Sequence, residues 1–116
     1  MAPEIKNANV TLMISDMDRS VKFYESIGMK LIQRWQNHYA MLEAPGIKIG
    51  LHPASGEINH GSSSSIGFLI DKIDEAENLL KQLEISYEIN DDKAGPIASF
   101  TDPDGALLYF MELRMK

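Results

Sequence analysis

The strongest constraint on this chain is that it repeats itself. Shifting the sequence by 56 positions lays Val10 on Ile66, Leu12 on Phe68, Ile14 on Ile70, Met17 on Ile73, Asp18 on Asp74, Phe23 on Leu79 and Ile27 on Leu83, without a gap from residue 9 to 32. Further on the shift becomes 59, and it carries Met41 to Phe100, Gly46 to Gly105, Ile49 to Leu108 and Leu51 to Phe110. A register sustained this far in 116 residues points to one small unit written twice within a single domain.

Each copy has the same element pattern. Residues 10–14 form a β-type run, and Ser15-Asp16 supplies a helix N-cap. Met17, Val21, Tyr24 and Ile27 then recur at helical spacing, and Gly28 stands where a C-cap glycine belongs. Strands are expected at 29–36, 39–43 and 47–52, separated by Asn37-His38 and Ala44-Pro45-Gly46 turns. The polar, Gly- and Ser-rich stretch 53–65 reads as a linker. After it come a strand at 66–70, a helix at 71–83 and strands at 85–89, 97–101 and 106–113, with a loop at 90–96 and an Asp102-Pro103-Asp104-Gly105 turn. Asp16 and Asp74 read as helix caps or first-turn acids.

The fold class is therefore α+β: two tandem βαβββ modules, about 5–53 and 65–113, joined by a linker at 54–64 within one domain, 1–116. A helix covers one face of each small sheet, and the other face must meet its twin or a ligand. Eight strands arranged side by side give a curved mixed sheet with a trough.

Composition narrows the function. There is no cysteine, which excludes disulfides, thiolate nucleophiles, Cys-based zinc sites and iron–sulfur clusters. The net charge is −6, from 17 acidic and 11 basic residues, and no Lys/Arg stripe is present. Nucleic acid and anionic membrane surfaces are disfavoured as partners. No apolar run approaches the ~18 residues of a membrane span, and Met1-Ala2-Pro3-Glu4 does not open a secretion signal, so a cytoplasmic location is expected. No paired carboxylates, nucleophile elbow, phosphate loop or dinucleotide fingerprint is visible.

The segment from Ile14 through Asp16, Asp18, Phe23 and Tyr24 to Gly28-Met29, together with Phe100-Thr101-Asp102-Pro103-Asp104-Gly105, resembles the vicinal oxygen chelate superfamily. That family includes glyoxalase I, bleomycin-resistance proteins, fosfomycin-resistance enzymes and extradiol dioxygenases. The resemblance runs from about Asn9 to Leu113 and implies the glyoxalase/bleomycin-resistance fold. Its metal-using members hold a divalent ion with four side chains, two from the starts of the first strands and two from the last strands, usually His, Glu or Gln. In this chain those places hold Asn9, Ser65, Gly50 and Tyr109. None is a carboxylate or imidazole, so no metal and no other cofactor is expected, and the likeness to glyoxalase I stops at the fold.

Strand alternation puts Asn9, Thr11 and Met13, Lys48, Gly50 and His52, Ser65, Gly67 and Leu69, and Leu107, Tyr109 and Met111 on the trough side. Val10, Leu12, Ile14, Ile49, Leu51, Leu108 and Phe110 belong under the helices. The candidate ligand-binding residues are Asn9, Thr11, Trp35, His52, Ser65 and Tyr109. Trp35 and Tyr39 suit a planar ligand or an anchoring role in packing or a dimer. His52 is either a strand-end residue or a ligand contact, and Arg34 and Lys48 either meet an anionic group or are solvated. No residue is assigned a catalytic role, and whether the chain is an enzyme stays open. The expected function is metal-free binding of a small, partly apolar or aromatic molecule by a homodimer. The alternative is a lyase, isomerase or dioxygenase with a displaced metal site.

Overall fold

The structure, a computed structural model, describes residues 2–61, 64–92 and 95–112. Leu113, residues 62–63 of the expected linker and residues 93–94 of the expected loop lie outside these. The chain divides into two compact units, Met1–Ile58 and Asn59–Lys116.

The first unit runs β1 (Val10–Ile14), α1 (Met17–Ser26), β2 (Lys30–Trp35), β3 (Tyr39–Ala44) and β4 (Ile47–Pro53). Its sheet has the order β1-β4-β3-β2. β1 lies parallel to β4, and the hairpins β2–β3 and β3–β4 are antiparallel. The second unit repeats this with β5 (Ile66–Ile70), α2 (Ile73–Gln82), β6 (Glu88–Asp92), β7 (Gly95–Thr101) and β8 (Leu107–Glu112), in the order β5-β8-β7-β6. The expected eight strands thus form two four-stranded mixed sheets. No helix among the described residues is long and apolar enough to cross a membrane.

α1 starts as the sequence predicts. Asp16 is extended at the N-cap, and its Oδ1 accepts the Arg19 N–H at 3.1 Å. At the other end Gly28, at φ +118°, lets the chain reverse, and the Gly28 and Met29 N–H groups close onto Glu25 and Tyr24 carbonyls at 3.1 and 3.0 Å. α2 ends in the same bonds, from Glu84 to Lys81 and from Ile85 to Leu80, but Glu84 makes the reversal at φ +59° where its counterpart is glycine.

The start of α2 is built differently. Its N-cap is Lys72, whose side chain has no oxygen to offer the helix. The Ile73 N–H donates instead to Glu112 Oε1 at 2.7 Å, across from the end of β8. Asp74 lies in the first turn rather than at the cap.

Each helix packs on its own sheet, α1 on β2–β4 and α2 on β7–β8. The first core is Ile14, Met17, Val21, Tyr24, Ile27, Met29, Ala40, Leu42, Ile49 and Leu51. The second contains Ala76, Leu80, Ala98, Phe100, Leu108 and Phe110, with the Phe100 and Phe110 rings stacked 5.4 Å apart. The expected helix-side residues are buried except toward the edge: Val10 is 42% exposed, because β1 flanks the sheet beyond the strands α1 covers.

Three expectations are corrected. The strand expected at 85–89 lies at Glu88–Asp92, and much of the expected loop at 90–96 is strand. Asn90, Asp91 and Asp92 look like loop by composition, yet backbone pairing to β7 holds them at an edge, where charged residues are tolerated. The 59-residue offset also fails for β3. Met41 pairs with Gly50, whereas Gly50's counterpart Tyr109 pairs with Ser99. Met41 therefore matches Ser99, and Phe100 matches buried Leu42.

The reason for that slip is the β7–β8 connection. Ala44 pairs with Ile47 across a two-residue turn, but Thr101 pairs with Leu107 across five residues. Buried Asp102 organises the longer loop by accepting the Asp104 and Ala106 N–H groups at 2.9 and 2.8 Å.

Candidate functional site

The face of each sheet opposite its helix carries the candidate residues. In the first unit β1 and β4 put Thr11 beside Gly50 and Met13 beside His52. Gly50 is buried, and a Cβ there would sit 2.3 Å from the Tyr39 hydroxyl and 3.1 Å from Thr11 Oγ1. Tyr39 thus fills the space that a side chain at position 50 would need. Asn9 Nδ2 donates to Thr11 Oγ1 at 3.1 Å, extending this polar spot along the edge. Trp35 leans on Tyr39 with ring centroids 5.7 Å apart and planes at 42°. Trp35 is 52% exposed, so a large part of its ring is available for contact.

His52 is exposed and lies 2.8 Å from the Pro53 carbonyl through Nδ1. A carbonyl only accepts, so Nδ1 is the donor in this contact. Arg34 proves to be committed rather than simply solvated. It donates to Asp18 Oδ1 at 2.6 Å, to Asn37 Oδ1 at 2.9 Å and to the Gln36 carbonyl at 2.7 Å. The Arg34 hydrogen bond and positive charge hold the Asp18 carboxyl below its ordinary range.

In the second unit Tyr109 lies flat over Gly67, its partner across β5 and β8. A Cβ on Gly67 would come within 2.2 Å of the ring. Glu88, Ser99, Tyr109 and Gly67 form one cross-strand row. Beside it is an open hollow of about 450 Å³, lined by Ser65, Ser86, Glu88, Ser99, Thr101 and Tyr109 among others. The structure therefore brings Ser65 and Tyr109 to one hollow, and Asn9 and Thr11 to one hydrogen-bonded pair. Near by on the helix side, Tyr87 donates to Glu77 Oε1 at 2.9 Å, and burial together with that carboxylate raises its phenol pKa.

Two features escaped the sequence reading. One is Tyr39 as the group that fills the place over Gly50. The other is a row of charges, Lys30 opposite Glu43 and Glu43 opposite Lys48. The two-residue Pro45-Gly46 turn fixes the second of these pairs, so that much was readable from turn length and alternation.

The sequence profile of the Glyoxalase/Bleomycin resistance protein/Dioxygenase superfamily matches residues 7–110. The chain belongs to this superfamily. Solved structures share its fold. A glyoxalase family protein from Bacillus anthracis is 20% identical with a TM-score of 0.79, the match covering 98% of this chain and 100% of that one. A glyoxylase/bleomycin resistance protein/dioxygenase domain from Frankia sp. EAN1pec is 19% identical with a TM-score of 0.73, covering 98% and 94%. A mutant of the fosfomycin resistance protein FosX from Listeria monocytogenes, complexed with Mn(II) and 1S,2S-dihydroxypropylphosphonic acid, is 17% identical with a TM-score of 0.81, covering 97% and 95%. No curated protein sequence matches this chain.

Superfamily membership raises the question of a metal, and the residues present do not fit one. At the four places the resemblance singles out, Gly50 has no donor and its side-chain space holds the Tyr39 hydroxyl. Tyr109 is a phenol laid over Gly67, and Asn9 and Ser65 are neutral and exposed. Among the described residues no three His, Cys, Asp or Glu side chains stand together as a donor set.

Proposed function

We propose that this chain is a metal-independent binding member of the superfamily, taking a small, partly apolar or aromatic molecule on the open faces of its sheets. The observation that carries this reading is the tilted Trp35–Tyr39 pair, half exposed beside the Asn9–Thr11 polar spot. Aromatic surface with a few fixed polar groups is the usual make-up of a small-molecule site. His52 belongs to the same face of the first unit, and Ser65 and Tyr109 are the proposed contacts on the second. The same reading makes the protein a cytoplasmic homodimer, in keeping with exposed apolar Ile32, Leu69 and Ile89 and with a chain free of cysteine.

The test is a titration of chelator-treated, dialysed protein with a panel of aromatic and aliphatic small molecules, followed by amide NMR. Saturable shifts at Thr11, Trp35 and Tyr109 are expected without added metal. A stoichiometric divalent ion retained through dialysis and required for those shifts would overturn the reading. Light scattering at micromolar concentration checks the assembly, and a species at the 13.0 kDa chain mass contradicts a dimer.

A further inference from the structure

The matched hollows of the two units differ in a way the fold does not require. The first unit has a hollow of about 540 Å³ at one end of its open face, lined by Asn7, Lys30, Glu43, Gly46 and Lys48 among others. Lys30 stands opposite Glu43, and Glu43 opposite Lys48, so the three form one row across β2, β3 and β4. The β7–β8 register makes Thr101 and Leu107 the counterparts of Glu43 and Lys48, and the 56-residue shift lays Lys30 on Ser86, which precedes β6; all three line the second unit's hollow. The β7–β8 pair thus forms with no charge where β3 and β4 carry Glu43 and Lys48. Lys48 is not needed to build that pairing, and the row places a one-charge positive excess on a chain whose net charge is −6.

The other end of the same face is aromatic. Glu43 is four steps along β3 from Tyr39, and Lys48 four steps along β4 from His52, about 13 Å of strand at ~3.3 Å per residue. Between the two ends lie Met41 and Gly50, paired across the strands and without charge. The groups over Gly50, the Tyr39 hydroxyl and Thr11 Oγ1, carry no charge either. The face is therefore polarised along its strands: cationic at the turn end, aromatic at the other, with an uncharged strip between.

We propose that this face selects an aromatic anion, its planar ring against Trp35 and Tyr39 and its carboxylate-type oxyanion toward the Lys30 and Lys48 end. This rests on the binding function proposed above and names the chemical class of its ligand. Lysine ammonium groups supply donors and charge to an oxyanion, while the exposed indole supplies apolar contact for a ring. Glu43 sits between the lysines, so the row's attraction for an anion stays moderate and depends on ionic strength.

Trp35 is the only tryptophan of the chain, so it reports directly on occupancy. The probes are 4-(4-nitrophenyl)butyrate and its neutral analogue 4-(4-nitrophenyl)butan-1-ol, both quenchers of indole fluorescence, titrated into the full-length protein at low and high salt. The acid is expected to bind about tenfold more tightly than the alcohol, with the gap shrinking at high salt. Lys30→Met with Lys48→Met is expected to bring the acid down to the alcohol's affinity and leave the alcohol unchanged. Equal affinities in the unaltered protein, or an acid preference that survives both lysine changes in a variant with native circular dichroism, would overturn the selection for anions and leave the binding function standing. Saturable quenching by neither probe would remove the aromatic site itself, and this inference with it.

Discussion

The two units are copies in outline and opposites at their most intimate contacts. In the first, Thr11 on β1 faces Gly50 on β4; in the second the glycine has changed strands, so Gly67 on β5 faces Tyr109 on β8. Either way a tyrosine occupies the space over a missing side chain, Tyr39 from the neighbouring strand in one unit and Tyr109 from the paired strand in the other. The helix ends diverge as well. Asp16 caps its own helix, while its counterpart Lys72 leaves that task to Glu112. What is held constant is the geometry of strand and helix; what varies is which residue meets each local requirement.

The sharpest way to break this comparison is at the glycines. Gly67→Ala forces a methyl into the Tyr109 ring, and a loss of about 2 kcal/mol in denaturant unfolding is expected. Gly50→Ala is expected to cost less, since one Tyr39 atom, the hydroxyl at 2.3 Å, crowds that place, whereas three Tyr109 atoms lie at 2.2–2.5 Å over Gly67. Negligible losses at both would mean that the glycines do not serve the tyrosines.

The helix starts come next. Glu112→Ala strips the Ile73 N–H of its carboxylate partner and is expected to cost about 1.5 kcal/mol. Lys72→Asp in that background supplies a local cap like that of Asp16 and should recover most of the loss. No recovery would show that Glu112 acts through packing rather than as a cap.

A smaller effect of opposite sign is expected at Ser20. It is fully buried on α1, and its Oγ has no partner. Its counterpart is Ala76, so Ser20→Ala should stabilise by about 1 kcal/mol, measured by the same unfolding curves. A loss of stability would instead reveal a bond made by that hydroxyl.

The smallest expected effect belongs to the pair of exposed Asp18 and half-buried Arg34. The folded state lowers the Asp18 pKa, so the pair's contribution is full at pH values above the ordinary 3.8 and fades as pH falls through the depressed value. Asp18→Asn should therefore narrow the stability difference between neutral and acidic solution. An unchanged acid unfolding profile would show that the pair adds nothing to the fold.

Much of this architecture was legible because its signals are local. Val10–Ile14 and Ile66–Ile70 are short apolar runs, α1 has its Asp16 cap, and both helices have 3.6-residue spacing. The Pro45-Gly46 turn sets the β3–β4 register. β6 was misplaced because Asn90-Asp91-Asp92 owe their strand conformation to pairing with β7, a long-range term that composition does not encode. The extra length of the Asp102 loop hid the one-residue slip that puts Ser99, not Phe100, in Met41's place. At the site, alternation was enough to put Thr11, Gly50 and His52 on one face. Which side chain lies over Gly50 depends on the reach of a tyrosine from β3, and the Lys30–Glu43–Lys48 row requires the register of three strands together.

The cap on α2 has a consequence for synthesis. α1 meets its capping oxygen at once, in the residue that precedes it, so its first turn can close while the rest of the chain is still being made. α2 waits for a carboxylate 39 residues downstream of Ile73. A ribosome building this protein therefore makes the capping oxygen of α1 before that helix and the capping oxygen of α2 only at residue 112. The two copies of one pattern come by their caps in opposite order.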